Sequence, residues 1–454
     1  MSFLRKITAL AFILASCVPA SCAQAGENPG ARLDRAASAF QKNRHFMGSV
    51  LVAKGGKILL EKGYGMADLE WNIPNTPDAK FRLGSITKQF TATAMMQLVE
   101  QHKLSLQDPA CNYFDGCPEA WKKITIHELL SHTSGIPSYT DDKEFAKPQF
   151  IRVPKTPTEI VLLSKDKPLE FTPGAKWKYD NTGYIFLGAI LEKVSGEKYA
   201  AYLKKHIFDP LGMTDSGYDD TAEILPHRAS GYQPCGQGLC NAQYIDMSLP
   251  FAAGSLYSTV QDLYKWDRAL YTDKILSKAS RDRMFTPVMH DYGYGWMLNS
   301  MAGHKQIGHG GGIPGFSSYI ARFPEDDAAV IVLSNNIAGN AQAVAAALAE
   351  TLFDQKIVLP GERKAITLKP DILNRYVGTY QVGPLTVTFS NENGHFMVAP
   401  KGQPKLEALP SSETQFYIDQ VDAVFTFTAG PNGGKAQEVK LEQGGMTLTG
   451  KRIN

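Results

Sequence analysis

Long apolar runs are missing from this sequence of 454 residues. A helix that crosses a bilayer needs about 20 consecutive apolar residues. The one stretch that stands out, ITALAFILASCVPA from Ile7 to Ala20, is too short and sits at the extreme N-terminus. An excess of charge is missing too: 47 basic residues face 45 acidic ones, a formal net charge of +2. With no basic stripe interleaved with aromatics, nothing points to nucleic acid as a partner. Cysteine is scarce, and no pair has C-x-x-C spacing or a His-x-x-x-His partner, so no metal site is expected. Gly-x-Ser-x-Gly is absent, against an α/β-hydrolase, and no Gly-rich phosphate loop follows a strand. HELLSH (His127–His132) fails as a metalloprotease helix: histidines five apart are turned by about 140° and leave the shared face.

What is present begins with a leader. MSFLRK is basic, the apolar stretch follows, and AQA (Ala23–Ala25) offers a cleavage site. This is the pattern of a signal peptide over residues 1–25. A second reading takes LASC (Leu14–Cys17) as a lipoprotein signal with Cys17 as the lipid anchor. Both imply an exported protein, periplasmic or secreted, with a soluble body. Four cysteines lie beyond the leader: Cys111, Cys117, Cys235 and Cys240. Three pairings are open, and the tight grouping favours two local disulfides that pin loops.

ARLDRAASAFQK reads as an amphipathic helix, and GSVLVAKGGKILLEKGYG as a hairpin. From Pro109 to about Lys278 short helical patterns alternate with Pro- and Gly-rich loops. Strand character returns in GYGWML, HKQIGHG, FSSYIARF and AAVIVLSN, before the alanine-rich helix Asn340–Phe353. Sheet, helical insert, sheet, helix implies an α/β unit over residues 30–355. A linker follows over 356–370. Residues 371–454 alternate apolar and polar between the turn signals NENG, PNGG and QGG, which predicts a small all-β barrel or sandwich.

Three segments carry candidate chemistry. Ser-x-x-Lys occurs at Ser85/Lys88, Ser164/Lys167 and Ser195/Lys198, and only Ser85 opens a long apolar-periodic helix. Three residues turn a helix by about 300°, so Ser85 and Lys88 adjoin on one face. A serine hydroxyl needs an adjacent base, and lysine can serve once burial lowers its pKa. The bland alternative is a helix N-cap. Tyr-x-Asn occurs once, at Tyr179 and Asn181, on a loop before the helix YIFLGAILEKV. There the bland alternative is an Asx-type cap. In GHGGGIPGFSS, His309 precedes Gly310, Gly311 and Gly312 in strand-like sequence. Such glycines let another backbone come close, and a substrate could pair along that edge with His309 as a hydrogen-bond donor.

These motifs, in this order and with segments such as FRLGSITKQFTA and ITIHELLSHTSGI, resemble the serine β-lactamase and penicillin-binding-protein family. The similarity runs to its class C-like branch of DD-peptidases, D-aminopeptidases and β-lactamase-fold esterases, over Gly30 to Phe353. The C-terminal unit is similar to the lipocalin-like domain often appended to such hydrolases. The fold implied is an antiparallel sheet flanked by helices, plus a mostly helical subdomain. The reaction implied is acyl transfer: Ser85 attacks a carbonyl while Lys88 and Tyr179 share the proton traffic, which of them is the base being open. Asn181 and the segment His309, Gly310, Gly311 would bind substrate, and the N–H groups of Ser85 and Gly312 would form the oxyanion hole. No cofactor is implied. The partner implied is a small peptide, amide or ester, with a D-residue peptide from cell-wall material favoured over an esterase substrate or a slowly turning-over penicillin sensor. One departure stands out: most β-lactamases begin the third motif with lysine, and His309 holds a carboxylate less firmly at neutral pH.

Overall fold

The computed structural model describes residues 28–453 except 45, 146, 237, 419–420, 422, 431–432 and 444–445. The expected leader and Cys17 lie outside the described residues. Helix α1 (Pro29–Arg44) is followed by β1 (Gly48–Lys54) and β2 (Lys57–Tyr64). Gly55 and Gly56 make the turn at φ of 59° and 70°, the left-handed region that a two-residue hairpin turn demands. Strands β3 (Met297–Met301), β4 (His304–Ile313), β5 (Phe316–Phe323) and β6 (Ala328–Ser334) complete an antiparallel sheet in the order β3-β4-β5-β6-β1-β2.

Both faces of this sheet are covered, and side-chain parity shows how. Val50, Val52, Val330 and Val332 pack with Leu33, Ala37 and Phe40 of α1 and with Val344 and Leu348 of helix α4 (Ala341–Leu352). Their neighbours Leu51, Ala53, Ile331 and Leu333 point the other way. They meet α2 (Thr87–Glu100) and the helical insert, which includes α3 (Asn181–Ser195). Central strands enclosed on two sides therefore read as continuous apolar runs rather than alternating ones. Helix α2 is buried from Thr87 through Leu98, as a helix without a solvent face must be.

The expectation of a strand over GYGWML holds only from Met297 onward. Gly293–Trp296 instead passes behind α2. A Cβ on Gly295 would stand 2.6 Å from the Lys88 carbonyl oxygen, so close backbone contact there displaces a ladder. Both local cysteine pairs are bridged, Cys111–Cys117 and Cys235–Cys240, with Cα atoms 5.5 and 5.8 Å apart.

After α4, nine strands among the described residues form one antiparallel sheet. Its two outermost strands, Leu406–Glu407 and Leu409–Pro410, are separated only by Ala408. One short segment thus joins both edges and nearly closes a barrel, which removes the exposed edges an open sheet would leave. Phe389, Phe396, Phe416, Phe425 and Phe427 fill its interior. The segment between the sheets touches α1 and the second sheet: Asn43 Nδ2 donates to the Pro360 carbonyl at 2.9 Å, and Tyr417 donates to the Arg363 carbonyl at 3.1 Å. A cavity of about 500 Å³ at this junction, lined by Ala347, Ile357 and Val424, contains none of the motif residues.

Candidate active site

Ser85 does not cap α2. It lies in a single 3₁₀ turn, Gly84–Ile86, and the helix proper is capped by Ile86 with no side-chain bond. The Ser85 Oγ is 3.1 Å from Lys88 Nζ. Lys88 is fully buried, and its amine also donates to Asn181 Oδ1 at 2.8 Å and to the Ala253 carbonyl at 2.9 Å. Burial brings its pKa down to about 7, with the charge of Asp180 pulling the other way. Those two oxygens can only accept. A neutral amine therefore spends both N–H bonds on them and turns its lone pair to the Ser85 hydroxyl.

The other Ser-x-x-Lys pairs are structural. Ser164 donates to the Pro137 carbonyl while Lys167 pairs with Asp142; Ser195 donates back to Leu191 while Lys198 pairs with Glu192.

At α3 the capping role falls on Asp180, whose carboxylate accepts from the N–H groups of Thr182 at 2.7 Å and Gly183 at 3.0 Å. That releases the Asn181 carboxamide to hold Lys88 on one side and, through Nδ2, Thr140 Oγ1 at 3.1 Å on the other. Burial raises the Asp180 pKa, against those backbone donors and Lys88. Tyr179 turns its ring to the Lys88 amine, 4.8 Å from the ring centre. Its hydroxyl is buried without a hydrogen-bond partner. Burial pushes the phenol above the usual tyrosine range; nearby Ser85 opposes this, although the pair falls short of hydrogen-bond geometry.

Strand β4 delivers the third motif, and its glycines are needed. A Cβ on Gly311 would come within 1.9 Å of the Leu83 carbonyl, and one on Gly84, at φ 54°, within 2.9 Å of the Gly312 nitrogen. The strand backbone thus stands directly against the turn that carries Ser85. Ser318 Oγ fastens this approach by donating to the Leu83 carbonyl at 2.6 Å. His309 is buried, with Nδ1 2.6 Å from the Gly310 carbonyl and Nε2 3.1 Å from the Tyr292 hydroxyl. Burial and the Lys88 charge bring its pKa down to about 4. The ring is neutral at pH 7.

The structure therefore gathers Ser85, Lys88, Tyr179, Asn181 and His309, with Gly311 and Gly312 backing the serine turn. Sequence reasoning missed Asp180, Tyr292, Ala253 and His132. His132 accepts from the Asp180 N–H at 3.2 Å, its ring 4.4 Å from that of Tyr179 and 4.7 Å from that of Tyr292. Its φ of 59° explains the break after HELLS. No cluster of metal-ligating side chains is found among the described residues.

An antiparallel sheet between helical layers, with Ser-x-x-Lys at the head of a buried helix, defines a hydrolase of the serine β-lactamase and penicillin-binding-protein class. The Beta-lactamase family profile matches residues 33–354, and the chain belongs to that family. It is 32% identical over 429 residues to penicillin-binding protein 4* of Bacillus subtilis (strain 168), covering 87% of this chain and 93% of that protein. Among solved structures, the octameric penicillin-binding protein homologue from Pyrococcus abyssi matches with a TM-score of 0.67 at 28% identity, over 92% of this chain and 99% of that one. D-amino acid amidase from Ochrobactrum anthropi SV3 matches with a TM-score of 0.62 at 27% identity, over 71% of this chain and 99% of the amidase.

Proposed function

We propose that the protein is an exported serine hydrolase that cleaves an amide or ester through an acyl-enzyme on Ser85, with D-amino-acid derivatives or peptides as substrates. The observation that carries this is the buried Lys88 amine 3.1 Å from Ser85 Oγ, with a pKa brought down to about 7. Near neutral pH a large share of this amine is unprotonated, whereas the Tyr179 phenol, pushed upward, keeps its proton. Lys88 is thus the base and Tyr179 the proton donor.

As the Ser85 oxygen bonds to the substrate carbonyl carbon, its proton passes to Lys88 Nζ. The negative charge on the former carbonyl oxygen is met by the N–H groups of Ser85 and Gly312. Collapse breaks the bond to the leaving group, which takes a proton from the Tyr179 hydroxyl as Lys88 restores it. Water then attacks the ester by the same path reversed. The D-residue preference is supported by the similarity to a penicillin-binding protein and a D-amino acid amidase. Export rests on the leader pattern, and among the described residues no helix is long and apolar enough to cross a membrane. Stopped-flow hydrolysis of N-acetyl-D-alanine p-nitrophenyl ester tests the scheme. It predicts a burst equal to the enzyme concentration that vanishes in Ser85→Ala; an unchanged rate in that variant refutes it.

A further inference from the structure

Several positive side chains around strand His309–Ile313 are already paired. Arg82, three residues before Ser85, is held by Asp219 at 2.6 Å, and Arg322 on β5 is buried against Asp267 at 2.6 Å. On β4 itself Lys305 pairs with Glu325, and His304 with Asp326. Lys88 faces Ser85, Asn181 and Ala253.

His309 is committed as well. A carbonyl can only accept, so the 2.6 Å contact with Gly310 fixes the imidazole proton on Nδ1. Nε2 then has a lone pair, and the Tyr292 hydroxyl donates to it at 3.1 Å. Tyr292 is buried and held in place by the ring of His132, with Trp177 5.9 Å away. The histidine therefore has neither charge nor N–H to give a substrate. Beside Gly312 the strand faces an apolar side chain: a Cβ built there would meet Ile337 Cδ1 at 3.9 Å, on a side chain 36% exposed.

We propose that Tyr292 is a specificity-determining residue. By donating its hydroxyl proton to His309 Nε2, it withholds the histidine from a substrate carboxylate, so the cleft selects amides and esters with no carboxylate beside the scissile bond. A carboxylate placed against His309 would shed its water and meet a neutral ring whose one N–H is already given to Gly310. This rests on acyl transfer at Ser85, and it reverses the role in substrate binding expected for His309 from sequence. The neutral histidine instead braces the strand through Gly310.

The experiment compares two esters of N-acetyl-D-alanine, one with phenol and one with 3-hydroxybenzoate, whose leaving groups differ by one carboxylate. Wild-type protein should favour the phenyl ester in kcat/KM by about 10-fold or more after correction for their rates in water. Tyr292→Phe keeps the ring, removes the donor and leaves His309 free to turn an N–H towards the cleft. The preference should shrink several-fold, through a gain on the carboxylate ester. A wild-type preference for the carboxylate ester, equal rates, or a preference untouched in Tyr292→Phe would overturn the proposal while leaving the Ser85 scheme intact. Failure on both esters, or turnover that persists in Ser85→Ala, would overturn the scheme and this proposal together.

Discussion

Asn181→Asp places a carboxylate where a carboxamide oxygen now lies 2.8 Å from the Lys88 amine. At an effective dielectric constant of about 20, two unit charges at that distance attract by about 6 kcal/mol. That corresponds to a pKa rise of about 4. Burial has brought Lys88 down to about 7, so the substitution would return it to its ordinary alkaline range. The neutral fraction at pH 7 would fall from about one half to about one part in ten thousand. The assay is kcat/KM for N-acetyl-D-alanine p-nitrophenyl ester from pH 5 to 10.5, corrected for spontaneous hydrolysis. Wild type should lose activity as pH falls through about 7. The variant should be about 1,000- to 10,000-fold slower at pH 7 and recover towards pH 10. Asn181→Ala, which removes an orienting acceptor without adding charge, should be slower with its acid limb little moved. An acid limb in Asn181→Asp that stays near 7 would refute Lys88 as the base.

Tyr179→Phe should lower kcat by about 100- to 10,000-fold with unfolding midpoint unchanged or raised, since the buried hydroxyl has no hydrogen-bond partner. Lys88→Met should abolish turnover and change the pH dependence of stability. With the native amine at about 7 and the unfolded one near 10.4, the cost of burying the cation is fully present below 7 and is relieved as pH rises, so wild type should gain on the variant between those values in urea titrations. Gly311→Ala drives a methyl against the Leu83 carbonyl; calorimetry should show a loss of about 2 kcal/mol or more, with activity falling alongside. Arg322→Ala leaves Asp267 buried without its main partner, and denaturant unfolding should show a loss of about 3–5 kcal/mol.

The elements legible in the sequence were those whose pattern reports local geometry. The hairpin around Gly55–Gly56, the helix after Ser85 and the β-rich C-terminal region each follow from period and turn chemistry. Ser85, Lys88, Tyr179, Asn181 and His309 were legible as a set because three motifs recur in one order, and the structure brings them together. What the sequence hid depends on contacts between distant segments. Asp180 is an ordinary cap by position, and only the fold shows that capping by the aspartate leaves Asn181 for Lys88. Tyr292 stands one residue before the segment read as a strand, and its bond to His309 spans a loop bent by the close approach of Gly295 to α2. Barrel closure through Ala408 joins strands that pair with different partners, which alternation alone cannot distinguish from a sandwich.

A neutral fluorophosphonate tests most directly whether Ser85 is the nucleophile. The protein and its Ser85→Ala variant would be incubated with it at pH 8 and followed by intact mass and peptide mapping. One adduct per chain on the peptide carrying Ser85, absent from the variant and slowed below pH 7, is the result predicted. An adduct on another residue, or equal labelling of Ser85→Ala, would contradict the account.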